Sequence, residues 1–167
     1  IQDTKDTKLQ WISEYKPQLL DDIGFVTRPG LFGWRKIDQG SALLAKHLPR
    51  KLKGLVADFG CGYGYLSSFI IENCADVTEL FCIDADSRAI ECCHMNMENI
   101  DPQMPYIMKW ADATDMPEYA GHFDHIVMNP PFHEDKATEL ALGKKFIESA
   151  RKCLKNKGQL WMVANDH

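Results

Sequence analysis

Short runs rich in β-branched and aromatic residues alternate along the chain with longer stretches of helical period. Five of them predict strands: Leu55–Phe59, Glu79–Ile83, Pro105–Trp110, Phe123–Met128 and Gln159–Ala164. Each ends in a polar or glycine-rich segment. The clearest helix runs from Ser87 to Ile100, where Ile90, Cys93, Met97 and Ile100 fall on one face and Asp86 or Ser87 supplies the cap. A second is expected from Thr138 to Leu154, with Phe146, Ile147, Ala150 and Leu154 on its apolar stripe and Gly158 as a stop signal beyond its basic end. Strand–helix alternation of this length predicts an α/β fold, a doubly wound and mostly parallel sheet with right-handed crossovers. Ligands of such sheets bind beyond the carboxyl ends of the strands.

The first forty residues break the alternation. An amphipathic opening around Trp11, Ile12, Tyr15, Leu19 and Leu20 leads into the turn-rich Arg28-Pro29-Gly30-Leu31-Phe32-Gly33, and Ser41 is placed to cap a short helix over Ala42–Leu48. Residues 1–50 therefore read as an N-terminal extension that packs on the domain formed by residues 51–167 and on the mouth of its ligand site.

Length and composition narrow the class. The 167 residues suffice for one domain with a substantial core, and 45% hydrophobic with 26% charged residues describes a folded globular chain. No apolar run approaches the roughly 20 residues that span a bilayer, so a membrane protein is not expected. The six cysteines form no Cys-x-x-Cys pair and read as reduced thiols of a cytoplasmic protein. A net charge of −5 argues against gripping nucleic acid by overall charge, leaving that task to local patches. The chain opens Ile1-Gln2-Asp3 without an initiator Met, as expected of a processed or truncated chain.

Asp58-Phe59-Gly60-Cys61-Gly62-Tyr63-Gly64 sets three glycines at alternate positions between a strand and a helix, where bare backbone can approach a ligand closely. A dinucleotide fingerprint needs its third glycine at position 65, which is Tyr65, so NAD is disfavoured. Asp84 follows Gly64 by 20 positions and ends the second strand, where a carboxylate can accept both ribose hydroxyl protons of a nucleoside. Asp112, after the third strand, can accept from an adenine amino group. Each acid has a simpler explanation as a helix cap or a solvated loop residue; their register with the glycine loop favours the ligand.

With these residues in place the chain resembles class I S-adenosylmethionine-dependent methyltransferases along nearly its whole length. The resemblance implies S-adenosylmethionine as cofactor, with Asp58 and Gly60, Gly62 and Gly64 at its methionine part, Asp84 at the ribose and Asp112 at the adenine.

Asn129-Pro130-Pro131-Phe132 follows the fourth strand. The prolines fix φ and remove two N–H donors, leaving carbonyl oxygens and the Asn129 amide as a rigid acceptor cluster. An exocyclic or amide nitrogen is a poor nucleophile because its lone pair is delocalised. Two acceptors, the Asn129 side-chain oxygen and the Pro130 carbonyl, can hold its hydrogens so that the lone pair points at the methyl group, in a direct transfer with no covalent enzyme intermediate. Phe132 offers a face for a stacked base.

This tetrapeptide is similar to that of methyltransferases acting on guanine N2, adenine N6 and the release-factor glutamine, the last usually carrying Tyr where Phe132 stands. Arg28-Pro29-Gly30-Leu31-Phe32-Gly33 with Ile37-Asp38-Gln39-Gly40-Ser41, His133 after the tetrapeptide, and Val163-Ala164-Asn165 resemble ribosomal RNA guanine-N2 methyltransferases of the RsmC type. Leu31 stands for the family's usual valine. The resemblance puts Phe32, Ser41 and Asn129 beside the cofactor, makes Asn129, Pro130 and Phe132 the catalytic set, and names small-subunit ribosomal RNA or the ribosomal subunit as substrate. It also implies a second, N-terminal domain beyond this chain and a sheet of seven strands, of which two are missing here. Another amino-group methyltransferase, or a non-catalytic module that binds RNA, remains the alternative.

Other groups carry less. His122 and His125 lack cysteine partners and are not assigned a metal. The basic run Lys144, Lys145, Arg151, Lys152, Lys155 and Lys157 reads as a solvated face, while Arg28, Arg35 and Lys36 lie nearer the predicted cofactor mouth.

Overall fold

The computed structural model describes residues 15–130 and 137–164, with side chains of 137–139 left aside. Seven strands and four helices are present among them. A hairpin of β1 (Gln18–Leu20) and β2 (Phe25–Thr27) opens the chain, followed by α1 (Gln39–His47). Then come β3 (Lys53–Phe59), α2 (Tyr65–Asn73), β4 (Asp76–Asp84), α3 (Ser87–Ile100), β5 (Tyr106–Trp110), β6 (Phe123–Met128), α4 (Ala137–Cys153) and β7 (Leu154–Met162). The main sheet has the order β5-β4-β3-β6-β7, with every neighbouring pair parallel.

Alternation along the strands builds two cores. Val56, Leu80, Cys82 and Val127 face α1, α2 and α3, where they meet Leu44, Leu66, Ile70 and Met97. Ala57, Phe59, Phe81, Ile83 and Ile126 point the other way, toward Ala150 and Cys153 of α4. Strands buried on both faces explain why the runs carry so few polar residues.

The chain winds from β3 outward through β4 and β5, then returns to the other side of β3 for β6 and β7. The winding reverses between β3 and β6. At such a switch point the two connecting loops diverge and open a crevice at the carboxyl edge of the sheet.

The helix Ser87–Ile100 and the strand Phe123–Met128 match the expected bounds, and Asp86 caps α3 by accepting from the Arg88 N–H at 2.9 Å. Three expectations need correction. The cap of the first helix is Asp38, not Ser41: the Asp38 carboxylate takes the Ser41 N–H at 2.8 Å, and the helix starts at Gln39. Gly158 does not stop a helix. It lies within β7, which begins at Leu154 because that residue pairs with Phe123 across a register shift. Leu19 and Leu20 lie on the hairpin's β1, and Trp11 and Ile12 fall outside the described residues.

The N-terminal passage is tied to the domain by Asn96 on α3. Its side chain accepts from the Val26 N–H at 2.7 Å and donates to the carbonyls of Val26 and Tyr63, each at 2.8 Å. Leu31 continues the contact, buried against Tyr63, Ala89 and Cys92. No helix among the described residues is long and apolar enough to cross a membrane.

Candidate active site

A cavity of about 500 Å³ opens at the switch point. That volume lies in the range of small-molecule sites, roughly 300–1,000 Å³. Four loops at strand carboxyl ends line it: Gly60 and Gly62 after β3, Asp84 to Asp86 at and after β4, Asp112 and Ala113 after β5, and Asn129 and Pro130 after β6. The N-terminal passage closes one side with Phe32, Asp38 and Gly40, and Leu142 and Phe146 of α4 close the other.

The glycines divide their labour. Among the described residues a Cβ added at Gly62 would meet nothing within 4 Å, so this backbone faces open space, while Gly60 has only the Phe146 ring near it, at 3.8 Å. Gly64 turns away from the cavity. It adopts φ +93° as the cap residue of α2, and a Cβ there would lie 2.7 Å from the Cys93 Sγ. Only glycine combines that left-handed conformation with that close packing.

Asp84 braces the loop from below. Its Oδ2 accepts from the Gly62 N–H and its Oδ1 from the Asp86 N–H, both at 2.8 Å. Burial raises its pKa, with those N–H bonds working against the rise. A carboxylate has about four lone-pair sites, so acceptor capacity remains for ligand hydroxyls. Asp112 holds the Thr114 N–H at 2.9 Å and hydroxyl at 2.8 Å, both on Oδ1, which orients the group and leaves Oδ2 clear of those bonds.

Asp58 sits beneath the loop with no exposure and does not line the cavity. The Ser67 hydroxyl donates to its Oδ2 at 2.6 Å, whereas its Oδ1 has no partner among the described residues. Burial, and secondarily the charge of Asp84, pushes its pKa up to about 7 against the Ser67 bond. The structure thus places Asp58 under the glycine loop and outside the cavity wall.

Asn129 is half-buried where β6 ends, and Pro130 beside it is buried. The Asn129 Nδ2 donates to the Asp38 Oδ2 and to the Ser41 Oγ, each at 2.8 Å. Ser41 therefore meets the site through Asn129, in a smaller cleft adjoining the main cavity. Phe32 lines both spaces and is 60% exposed at the mouth. Phe132 and His133 lie outside the described residues, as does Asn165. Sequence reasoning missed the partners that hold the set together: Asp38 and Asn96 act across long separations, and Phe146 was visible only as part of an apolar stripe.

His122 packs edge-on against Phe81 and Phe123, and His125 lies within β6. Among the described residues no group of three or more His, Cys, Asp or Glu is placed to hold a metal ion. All six cysteines are free and buried. Arg28 is engaged by Glu91 at 2.8 Å, and the Arg35 guanidinium stacks over Trp34 at 4.5 Å.

The chain is similar to known proteins over most of its length. The ribosomal RNA small subunit methyltransferase C of Shewanella piezotolerans is 34% identical over 165 residues, covering 97% of this chain and 46% of the relative. The protein of that name from Shewanella oneidensis is 32% identical over 164 residues, covering 96% and 46%. The chain thus spans less than half the length of these curated relatives. The structure of the T. thermophilus 16S rRNA N2 G1207 methyltransferase (RsmC) in complex with AdoMet and guanosine superposes with a TM-score of 0.70 at 28% identity, over 84% of this chain and 38% of that one. The profile of the methyltransferase small domain matches residues 22–167, from the hairpin through the last strand, and the chain belongs to that family.

Proposed function

We propose that this chain is the cofactor-binding and catalytic domain of an S-adenosylmethionine-dependent methyltransferase that acts on guanine N2 of small-subunit ribosomal RNA. The observation that carries the reading is the placement of Asn129 and Pro130 across one cavity from Gly60, Gly62 and Asp84. The curated relatives, named as small-subunit ribosomal RNA methyltransferases, support that RNA as substrate, and the T. thermophilus N2 G1207 enzyme with its bound guanosine supports guanine N2 as the target.

The residues present fit the cofactor. Gly60 and Gly62 offer bare backbone, Asp84 retains acceptor sites for ribose hydroxyls, and Asp112 has an oxygen for the adenine amino group. Asp58 braces the loop from beneath through its bond to Ser67, Gly64 fixes the loop's exit into α2, and Phe32 covers the mouth. When bound, S-adenosylmethionine supplies an electrophilic methyl group on a sulfonium. The chain's own task is then orientation. The Asn129 carbonyl oxygen and the Pro130 carbonyl accept the two hydrogens of the amino group, directing its lone pair along the line of transfer. Phe132, from the motif, would stack on the base. Fixed acceptors of this kind also stabilise the positive charge that develops on the nitrogen, together contributing several kcal/mol to lowering the barrier.

Residues 1–50 serve as an extension that completes the mouth, a role supported by the bonds of Asn96 and Asp38. Six free, buried thiols support a cytoplasmic location. Since the chain covers under half of its curated relatives, RNA docking falls partly to an N-terminal partner domain. Incubation with labelled S-adenosylmethionine and unmodified small-subunit RNA or assembled subunits, followed by nucleoside analysis, tests the reading. Labelled N2-methylguanosine is expected; N6-methyladenosine, or label on protein alone, overturns the substrate.

A further inference from the structure

Asn129 owes the direction of its amide to two residues 91 and 88 positions earlier in the chain. An ionised carboxylate only accepts hydrogen bonds, so Asp38 requires the amide nitrogen at 2.8 Å; with the amide flipped, two acceptors would face each other at that distance. The Ser41 hydroxyl takes the other amide hydrogen. Both N–H groups are then spent, and the carbonyl oxygen is the one polar atom of the side chain left for a ligand.

Asp38 is itself held in place. As the cap of α1, its Oδ2 also takes the Ser41 N–H at 2.8 Å, so the start of the helix fixes the oxygen that fixes Asn129. Gly40 permits the approach: a Cβ there would stand 3.0 Å from the Asp38 Oδ2 and 3.6 Å from the Asn129 Nδ2.

We infer that Asp38 is a positioning residue for methyl transfer, locking the Asn129 amide with its oxygen toward the target amino group, with Ser41 as the second half of the lock. The inference rests on the role given to Asn129 above. A flipped amide would present donors to an amine that is itself a donor. The negative charge beside the amide nitrogen also polarises the amide and makes its oxygen a stronger acceptor.

Capping and positioning are separable. Serine caps a helix about as well as aspartate but is too short to keep the bond to Asn129, whereas asparagine caps equally well and presents an oxygen in the same place. The variants Asp38→Ser, Asp38→Asn, Ser41→Ala, Asn129→Ala and the double variant Asp38→Ser/Asn129→Ala are compared with the parent chain. The readouts are kcat and KM for labelled methyl transfer from S-adenosylmethionine to unmodified small-subunit RNA, cofactor affinity by calorimetry, and Tm.

Asp38→Ser is expected to lower kcat about tenfold or more, as loss of an oriented acceptor does, with KM and cofactor affinity within about twofold. Asp38→Asn returns kcat to within about threefold of the parent. The double variant is no slower than Asn129→Ala alone, because both changes remove one interaction. Ser41→Ala keeps the cap, which uses the Ser41 backbone, and lowers kcat several-fold; if Asp38→Ser fails to fold, Asp38→Gly, which a helix cap also tolerates and which cannot reach Asn129, carries the test. A parental kcat in Asp38→Ser, or independent losses that multiply in the double variant, overturns the role of Asp38, and a parental kcat in Ser41→Ala overturns that of Ser41, each while leaving that of Asn129 standing. A parental rate in Asn129→Ala overturns both.

Discussion

Replacing Asp58 by asparagine keeps the shape of the side chain and removes a charge that the fold opposes. Asp58 is wholly buried, with the Ser67 hydroxyl on one oxygen and, among the described residues, nothing on the other. Burial, reinforced by the charge of Asp84, raises its pKa from 3.8 to about 7. In the unfolded chain the group titrates near 3.9. Below about pH 4 the carboxyl is neutral in both states and its charge costs nothing. As the pH climbs toward 7 the unfolded chain ionises first, the folded chain binds the extra proton, and stability falls by up to about 1.4 kcal/mol per pH unit. The loss levels off above pH 7 at roughly 4 kcal/mol, when both states are ionised. Asparagine accepts the Ser67 bond and does not titrate. Urea unfolding of both proteins at a series of pH values isolates this group, since most other titrations cancel in the difference. The stability of Asp58→Asn relative to the parent is expected to grow by roughly 2 kcal/mol between pH 5 and 7 and to flatten beyond. A difference that stays constant or shrinks over that range refutes the reasoning.

Three further outcomes follow from local geometry. Asn96→Ala strands the buried Val26 N–H and the carbonyls of Val26 and Tyr63, so urea unfolding should show a loss of about 3 kcal/mol or more, and calorimetry a weaker cofactor site because Tyr63 belongs to the glycine loop. Gly62→Ala costs only backbone strain, about 1–2 kcal/mol, whereas Gly64→Ala adds a clash with Cys93, so the second should lower Tm further than the first. A thiol reagent should label the native protein slowly at all six buried cysteines, with burial holding the Cys92 thiol at about 11; rapid labelling before unfolding would contradict the packing.

What was legible in the sequence is what local chemistry determines. The helix Ser87–Ile100 carries its cap in Asp86 and its face in Cys93 and Met97, all within a few turns. The glycine loop, Asp84, Asp112 and Asn129 were recognisable because each follows a strand, and a doubly wound sheet brings those ends to one edge. The misses are non-local. Gly158 looks like a helix terminator until Leu154 pairs with Phe123, and nothing near Gly158 announces that register. Asp38 stands in the sequence only as one residue of the family-like Ile37-Asp38-Gln39-Gly40-Ser41, and nothing marks Asn96, until the fold delivers Asn129 to the one and Val26 to the other. Their functions are properties of contacts spanning 91 and 70 residues.

The central claim, that Asn129 orients the attacking amino group, is tested most directly by the single-turnover rate of methyl transfer to guanine N2 with cofactor and RNA both saturating, in the parent and in Asn129→Ala. Loss of one preorganised acceptor should slow the step about a hundredfold or more, in the range seen when an oriented hydrogen-bond partner is removed from a reacting centre. A variant that transfers at the parental rate would contradict the account.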